Sequence, residues 1–418
     1  MDKITNRDIE ILRDLAKKQR ELSESPRNIE LGKKWLKHNT CRGENPMVVI
    51  GFGTFADELI KPMMKCESEE ARHIEWELLF GTFGALYFGD DKYVRDYFGV
   101  GMGAYIKPFN IDVKVEHAAD GLGHHFVPSI VDLEKDFHKI GRSQIGIHTT
   151  KKDAENRINN LSEILGDALP VKLCGGGLYA SLTMDIVHIM SMEDMFVSMY
   201  DYPDLFKQMM NGLADDYVEY FDLLEREGLL MPTAGSEGVG QETCCFTNEL
   251  PDKIPEGKNL LTTDIWGYSD SQETVGVSAE MFEEFFFPAY KRVTERYGLL
   301  SYGCCEPVHT IYDKCLSKLR NLRKISISPW CDEHFMGERL AGKKIIYYRK
   351  PSPNFLGVGK VLDEDAVRKS IDTTLECAKG CKIEFNTRDV YTVNNDAEKV
   401  RRYVEIIREE IDKHYIGE

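Results

Sequence analysis

From Met47 onward the chain repeats one unit, a short apolar run closed by glycine or a polar residue and then an amphipathic stretch. No other feature constrains the fold as strongly. Met47-Val48-Val49-Ile50 ends at Gly51-Phe52-Gly53, and Val171-Lys172-Leu173-Cys174 runs into Gly175-Gly176-Gly177. Residues 204–227 carry Leu205, Met209, Leu213, Tyr217, Tyr220 and Leu224 at helical spacings of three and four. Gly228 stops that stripe, and Leu229-Leu230-Met231 opens the next apolar run. Residues 260–264, 299–302, 325–328, 345–348 and 383–385 continue the series. Short apolar runs bounded by glycine predict buried strands. Ser278, Asp363 and Asp396 stand where helix N-caps belong, and Pro288 predicts a kink in the first of those helices.

Strands alternating with helices predict a parallel α/β sheet. Roughly eight or nine strand candidates favour a closed (β/α)₈ TIM barrel over residues 46–418. Residues 1–45 read as an N-terminal helical cap. A dinucleotide-binding sheet would show G-x-G-x-x-G between strand and helix. Gly51-Phe52-Gly53 and Gly99-Val100-Gly101-Met102-Gly103 lack the third glycine at that spacing.

Charge narrows the partners. The 418 residues hold 53 basic and 70 acidic side chains, a formal net charge of −17. With no basic stretch, nucleic acid and anionic membrane surfaces are excluded as expected partners. No apolar run approaches the ~20 residues of a spanning helix. The first twenty residues lack the apolar segment of a signal peptide, so the expected location is cytoplasmic. The 11 cysteines are odd in number and include the adjacent pairs Cys244/Cys245 and Cys304/Cys305. That is no disulfide framework, so the thiols are core residues, ligands or reactive groups.

In a barrel the chemistry sits at the C-terminal ends of the strands. There Tyr302-Gly303-Cys304-Cys305-Glu306-Pro307-Val308-His309 gathers thiols, a carboxylate and an imidazole, the zinc ligand types. Adjacent strand residues face opposite ways, so at most one of Cys304 and Cys305 faces the site while the strand stays regular. Ser328-Pro329-Trp330-Cys331-Asp332 offers a third thiol, or simply an apolar cap with Asp332 as a helix N-cap. Trp266, followed by Tyr268 and Gln272, offers a wall for a flat ligand, or simply fills the core. Arg388-Asp389 offers a cation and a proton donor, or a plain ion pair, and Lys350 offers an anion site.

These residues together resemble the uroporphyrinogen decarboxylase superfamily. The likeness is loose over residues 45–415 and good over 260–393, where Trp266, the helix carrying Phe282 to Tyr297, Tyr302-Gly303-Cys304-Cys305-Glu306-Pro307, Ser328-Pro329-Trp330, Lys350-Pro351-Ser352-Pro353 and Arg388-Asp389 follow in the family's order. The resemblance implies a (β/α)₈ barrel and one of two chemistries. The decarboxylases carry arginines on the first strand. Here Val48-Val49-Ile50-Gly51-Phe52-Gly53-Thr54-Phe55 has none, which counts against porphyrinogen decarboxylation. The zinc-dependent methyltransferases use His-x-Cys and a second cysteine near the last strand. Here Tyr302 replaces the histidine, Cys304 matches, and residues 386–389 hold no cysteine.

The Tyr-Gly-Cys-Cys-Glu-Pro version resembles bacterial methyl-ether O-demethylase components. It implies methyl transfer from a small molecule, such as an aryl methyl ether, to a corrinoid protein partner carrying cobalamin. The alternative is a cofactor-independent decarboxylase of a smaller carboxylated substrate. On this resemblance Glu306, Asp332 and Asp389 are the expected acids. Trp266, Gln272, Tyr302, Trp330, Lys350 and Arg388 are the expected substrate contacts. Cys304, Cys305, Glu306, His309 and Cys331 are the candidate zinc ligands. A homodimer is left open.

Overall fold

The computed structural model describes residues 4–117 and 123–415. Seven strands form one parallel sheet: β1 (Met47–Ile50), β2 (Leu178–Ala180), β3 (Trp266–Ser269), β4 (Leu299–Tyr302), β5 (Leu322–Ile327), β6 (Ile346–Arg349) and β7 (Lys382–Thr387). Their spatial order is β1-β7-β6-β5-β4-β3-β2, chain order with β1 returned beside β7. Helices follow most strands, as an all-parallel sheet requires. Val48, Ile50, Leu300, Tyr302, Ile325, Ile327, Tyr347, Ile383 and Phe385 face those helices and form the main core with them.

The opposite face is strongly curled. Lys324 on β5 bonds Glu384 on β7 at 2.7 Å and lies 5.8 Å from the ring centres of Trp266 on β3 and Tyr348 on β6. Besides its neighbour β6, this one side chain reaches β3 and β7, each two strands away, which requires the sheet to wrap around it.

The expected closed barrel is found only in part. Among the described residues no ladder joins β1 to β2. The free edge of β1 is met by side chains instead. The Asp91 and Asp90 carboxylates accept from the N–H groups of Val48 (2.8 Å) and Ile50 (2.9 Å), and Asp91 N–H donates to Val48 O. The turn bridged by Gly238 and Cys244 lies in the gap. Gly238 O accepts from Gly177 N–H beside β2, and Cys244 packs on Met47 and Val49 of β1.

Two apolar runs read as strands take other forms. Leu229-Leu230-Met231 is irregular, and residues 260–264 end in a 3₁₀ turn, with β3 beginning after it. Val171–Leu173 is a strand, but it pairs with Phe98–Val100 outside the main sheet.

Helix signals fared better. Ser278, Asp363 and Asp396 side chains accept from the N–H groups of Met281, Ala366 and Lys399. The helix containing Pro288 breaks at Phe286, between Ala279–Phe285 and Phe287–Thr294. At the N-terminus, α1 (Asn6–Ser23) and α2 (Pro26–Asn39) are capped by Thr5 and Ser25. α2 closes the lower end of the curled sheet. Its Trp35 packs on Met47 and Val49, its His38 lies 3.3 Å from Glu384, and Asn39 O accepts from Arg323.

Candidate active site

β4 stops at Tyr302 because Gly303 takes φ 97°, a conformation that costs glycine little and other residues much. The site is also tight, since a Cβ there would lie 3.0 Å from Ser326 Cβ and 3.1 Å from Val308 Cγ1. The turn brings both thiols to one side, with Cys304 Sγ and Cys305 Sγ 3.7 Å apart. The strand is no longer regular there, so the alternation that would turn one thiol away does not apply.

Three neighbouring strand ends complete the cluster. Lys350, after β6, donates from Nζ to the carbonyls of Gly303 (3.3 Å) and Cys304 (3.1 Å). Arg388 and Asp389, after β7, pair through Nε and Oδ1 at 3.0 Å. Cys305 Sγ lies 3.6 Å from Asp389 Oδ2, so its single proton has two acceptors, Asp389 and Cys304. After β3, the Asp270 carboxylate accepts from Tyr268 OH (2.6 Å) and Ser181 Oγ (2.5 Å).

Glu306 is 3% exposed and ties two strand ends together. Its Oε1 accepts from Ser271 N–H (2.9 Å) and its Oε2 from Cys304 N–H (2.7 Å). Burial, and then the charge of Asp270, pushes its carboxyl up to about 7. The hydrogen bond from Cys305, followed by the charges of Lys350 and Arg388, makes Cys304 the thiol that ionises first. Cys305 is held up by that same bond and by burial. Burial lowers Lys350, and Arg388 adds to the lowering.

Beside the cluster is an open groove of ≈ 530 Å³, lined by Met192, Gln272, Glu273, Val275, Cys305, Pro307 and Trp330. That volume is in the range of small-molecule sites. Trp330 is 73% exposed at its rim. The structure thus brings Cys304, Cys305, Glu306, Lys350, Arg388 and Asp389 together, with Gln272 and Trp330 on the adjoining groove.

Other expected residues lie elsewhere. Trp266 is not at the mouth. It starts β3 and is buried at the lower end against Lys324, because β3 begins, rather than ends, at this residue. Tyr302 points into the shell between sheet and helices, its ring against Tyr290 and its hydroxyl 2.7 Å from Ser271 Oγ. Asp332 is a helix cap, accepting from Phe335 N–H, while its own N–H donates to His309 Nδ1. Cys331 Sγ faces the main-chain oxygen of Glu306 at 3.8 Å.

The five proposed zinc ligands therefore do not fit one ion. The Glu306 carboxylate is turned to two N–H groups, His309 is engaged by Asp332, and Cys331 faces a carbonyl. Among the described residues no three His, Cys, Asp or Glu side chains are grouped to hold a metal.

Sequence reasoning placed Ser271 in the segment after Trp266 but missed Asp270. The same strand-end rule finds Asp270 once β3 is placed at Trp266–Ser269 rather than over 260–264. It also missed Gln241, which carries no strand signal. Gln241 O accepts from Asn386 Nδ2 (2.8 Å) and Tyr348 OH (3.2 Å), and its amide donates to Tyr268 OH.

No family model and no curated protein matches the sequence. Among solved structures the chain is similar to a methyltransferase from Methanosarcina mazei, at 11% identity over 91% of this chain and 98% of that one, with a TM-score of 0.48. Among the described residues no helix is long and apolar enough to cross a membrane.

Proposed function

We propose that the chain transfers a methyl group from a small methylated molecule, of the aryl methyl ether class, to a corrinoid presented by a partner protein. The observation that carries this reading is the convergence of Lys350, Arg388 and the thiol loop at the strand ends, beside an open groove rimmed by an exposed indole. The sequence resemblance to O-demethylase components supports it independently of the geometry. The groove suits one aromatic ring, and its open side leaves room for a partner.

The corrinoid supplies the nucleophile that takes the methyl group. The chain's part is to make the ether oxygen leave. As the C–O bond breaks, its electron pair stays on oxygen, and that charge must be met by a proton or a cation. Lys350, more acidic than an ordinary lysine, donates the proton to this oxygen, and Arg388 holds the developing charge. Trp330 stacks on the ring and Gln272 orients it. Glu306 is a positioning residue that fixes the Cys304 main chain against the end of β3.

One observation favours the alternative, decarboxylation of a small carboxylated substrate. A Cβ on Gly51 would lie 2.9 Å from Arg388 Cβ, so an arginine stands next to the end of the first strand, which itself carries none. Lys350 and Arg388 would then clamp the carboxylate. The Lys350→Met variant separates the proposal from a binding-only pocket: loss of a general acid costs ~10²–10⁴ in rate. The assay follows corrinoid methylation by absorbance with a panel of aryl methyl ethers. Failure with every ether, together with carbon dioxide release from a carboxylated substrate, would select the alternative.

A further inference from the structure

The chain has two pairs of adjacent cysteines, and they are built in opposite ways. Cys244 packs with Trp35, Met47 and Val49, whereas Cys245 lies among Val239, Trp266 and Tyr268. These two thiols point apart into different clusters, as neighbouring residues of an extended chain do. Cys304 and Cys305 follow the left-handed turn at Gly303, and their sulfurs lie 3.7 Å apart.

The chain beneath this second pair is fixed from three sides. Cys304 N–H is held by Glu306, and Cys304 O accepts from Ser326 Oγ and Lys350 Nζ. Cys305 lines the open groove, so a small oxidant reaches the pair without any unfolding.

We propose that Cys304 and Cys305 are a reversible dithiol–disulfide couple, a modification site on the groove wall that is oxidised by hydroperoxides. In the first step one sulfur, as thiolate, attacks the peroxide. The O–O bond breaks, hydroxide leaves and a sulfenic acid forms. The neighbouring thiol then attacks that sulfur. The S–O bond breaks, the S–S bond forms, and water leaves carrying the thiol's proton. The two sulfurs lose two electrons and the peroxide gains them.

Neighbouring Cα atoms are held about 3.8 Å apart, below the usual disulfide span of about 4.4–6.8 Å. The bridge is therefore strained and readily reduced by thiols, as reversibility requires. Once bridged, Cys305 no longer donates to Asp389, so oxidation changes the wall of the groove.

The test reads mass rather than turnover and is independent of the reaction proposed above. Reduced full-length protein is treated with hydrogen peroxide in its native state, unfolded, alkylated and cut with trypsin. The peptide spanning residues 297–314 contains Cys304 and Cys305 and no other cysteine. It should lose two hydrogens and both alkylation sites, and dithiothreitol should restore both. Cys244 and Cys245 should remain alkylated. In the Cys305→Ser variant, Cys304 should proceed to the sulfinic acid, which dithiothreitol does not reverse. Sulfinic acid in the wild type without the two-hydrogen loss, equal bridging of Cys244 and Cys245, or no change at Cys304 and Cys305 would each overturn the proposal.

Discussion

Replacing Glu306 by Gln should remove one component of the protein's pH-dependent stability and leave the rest in place. The wild-type carboxyl is buried, accepts two main-chain N–H bonds and sits near Asp270, so it holds its proton to about pH 7 against an ordinary value of 4.5. The unfolded chain releases that proton between about pH 4.5 and 7 while the folded chain keeps it. The resulting stability is fully present below pH 4.5 and is lost as pH rises through about 7. At 1.36 kcal/mol per unit, the loss is about 3 kcal/mol. Glutamine cannot ionise, but its NH₂ must face one of the two N–H donors, a pH-independent cost of about 1–3 kcal/mol. The wild type should therefore be the more stable protein at pH 4.5, and its lead should shrink by about 3 kcal/mol up to pH 7 and stay constant above it. Urea titrations of both proteins across this range, followed by tryptophan fluorescence, give the difference. A difference that stays constant to within about 0.5 kcal/mol would refute the argument, because Glu306 would then be ionised throughout.

Lys324→Met should cost about 3–5 kcal/mol in urea titrations, because it strands the fully buried Glu384 carboxylate. Adding Glu384→Gln should recover most of that loss, and a double variant no more stable than the single one would count against the pair. The two tryptophans should part company. Trp330→Ala should leave stability within about 0.5 kcal/mol while weakening an aromatic ligand by the roughly 0.5–1.5 kcal/mol of a stacking contact. Trp266→Ala should cost about 3–5 kcal/mol and leave ligand affinity in the folded fraction unchanged, as measured by calorimetric titration.

The parts of the fold that could be read from the chain are those set by neighbours in sequence. β1, β4, β5, β6 and β7 are apolar runs with a glycine or polar stop, and the caps at Ser278, Asp363 and Asp396 act within three residues. What could not be read depends on neighbours in space. Leu229-Leu230-Met231 has the composition of a strand but finds no ladder partner. Trp266-Gly267-Tyr268-Ser269 has a weaker strand pattern, yet β2 and β4 flank it and pair with it. The error of a few residues at β3 then moved Trp266 from the floor of the sheet to its mouth and hid Asp270.

The thiol loop shows the same division at a finer scale. Its chemistry was visible in Cys304, Cys305 and Glu306, but the geometry turns on the sign of one φ at Gly303. An extended residue there would continue the pleat and send the thiols apart, as happens at Cys244 and Cys245. Lys324 and Glu384 interrupt apolar strands and would look like surface positions in isolation. They become a core because the order β5-β6-β7 puts them two strands apart on a sheet curled tightly enough to join them. The same curl sets Lys350 and Arg388, further along β6 and β7, above that pair and beside Cys304. The buried pair at the floor and the cationic cluster at the mouth are thus two layers of one packing arrangement, and loosening the lower should spread the upper.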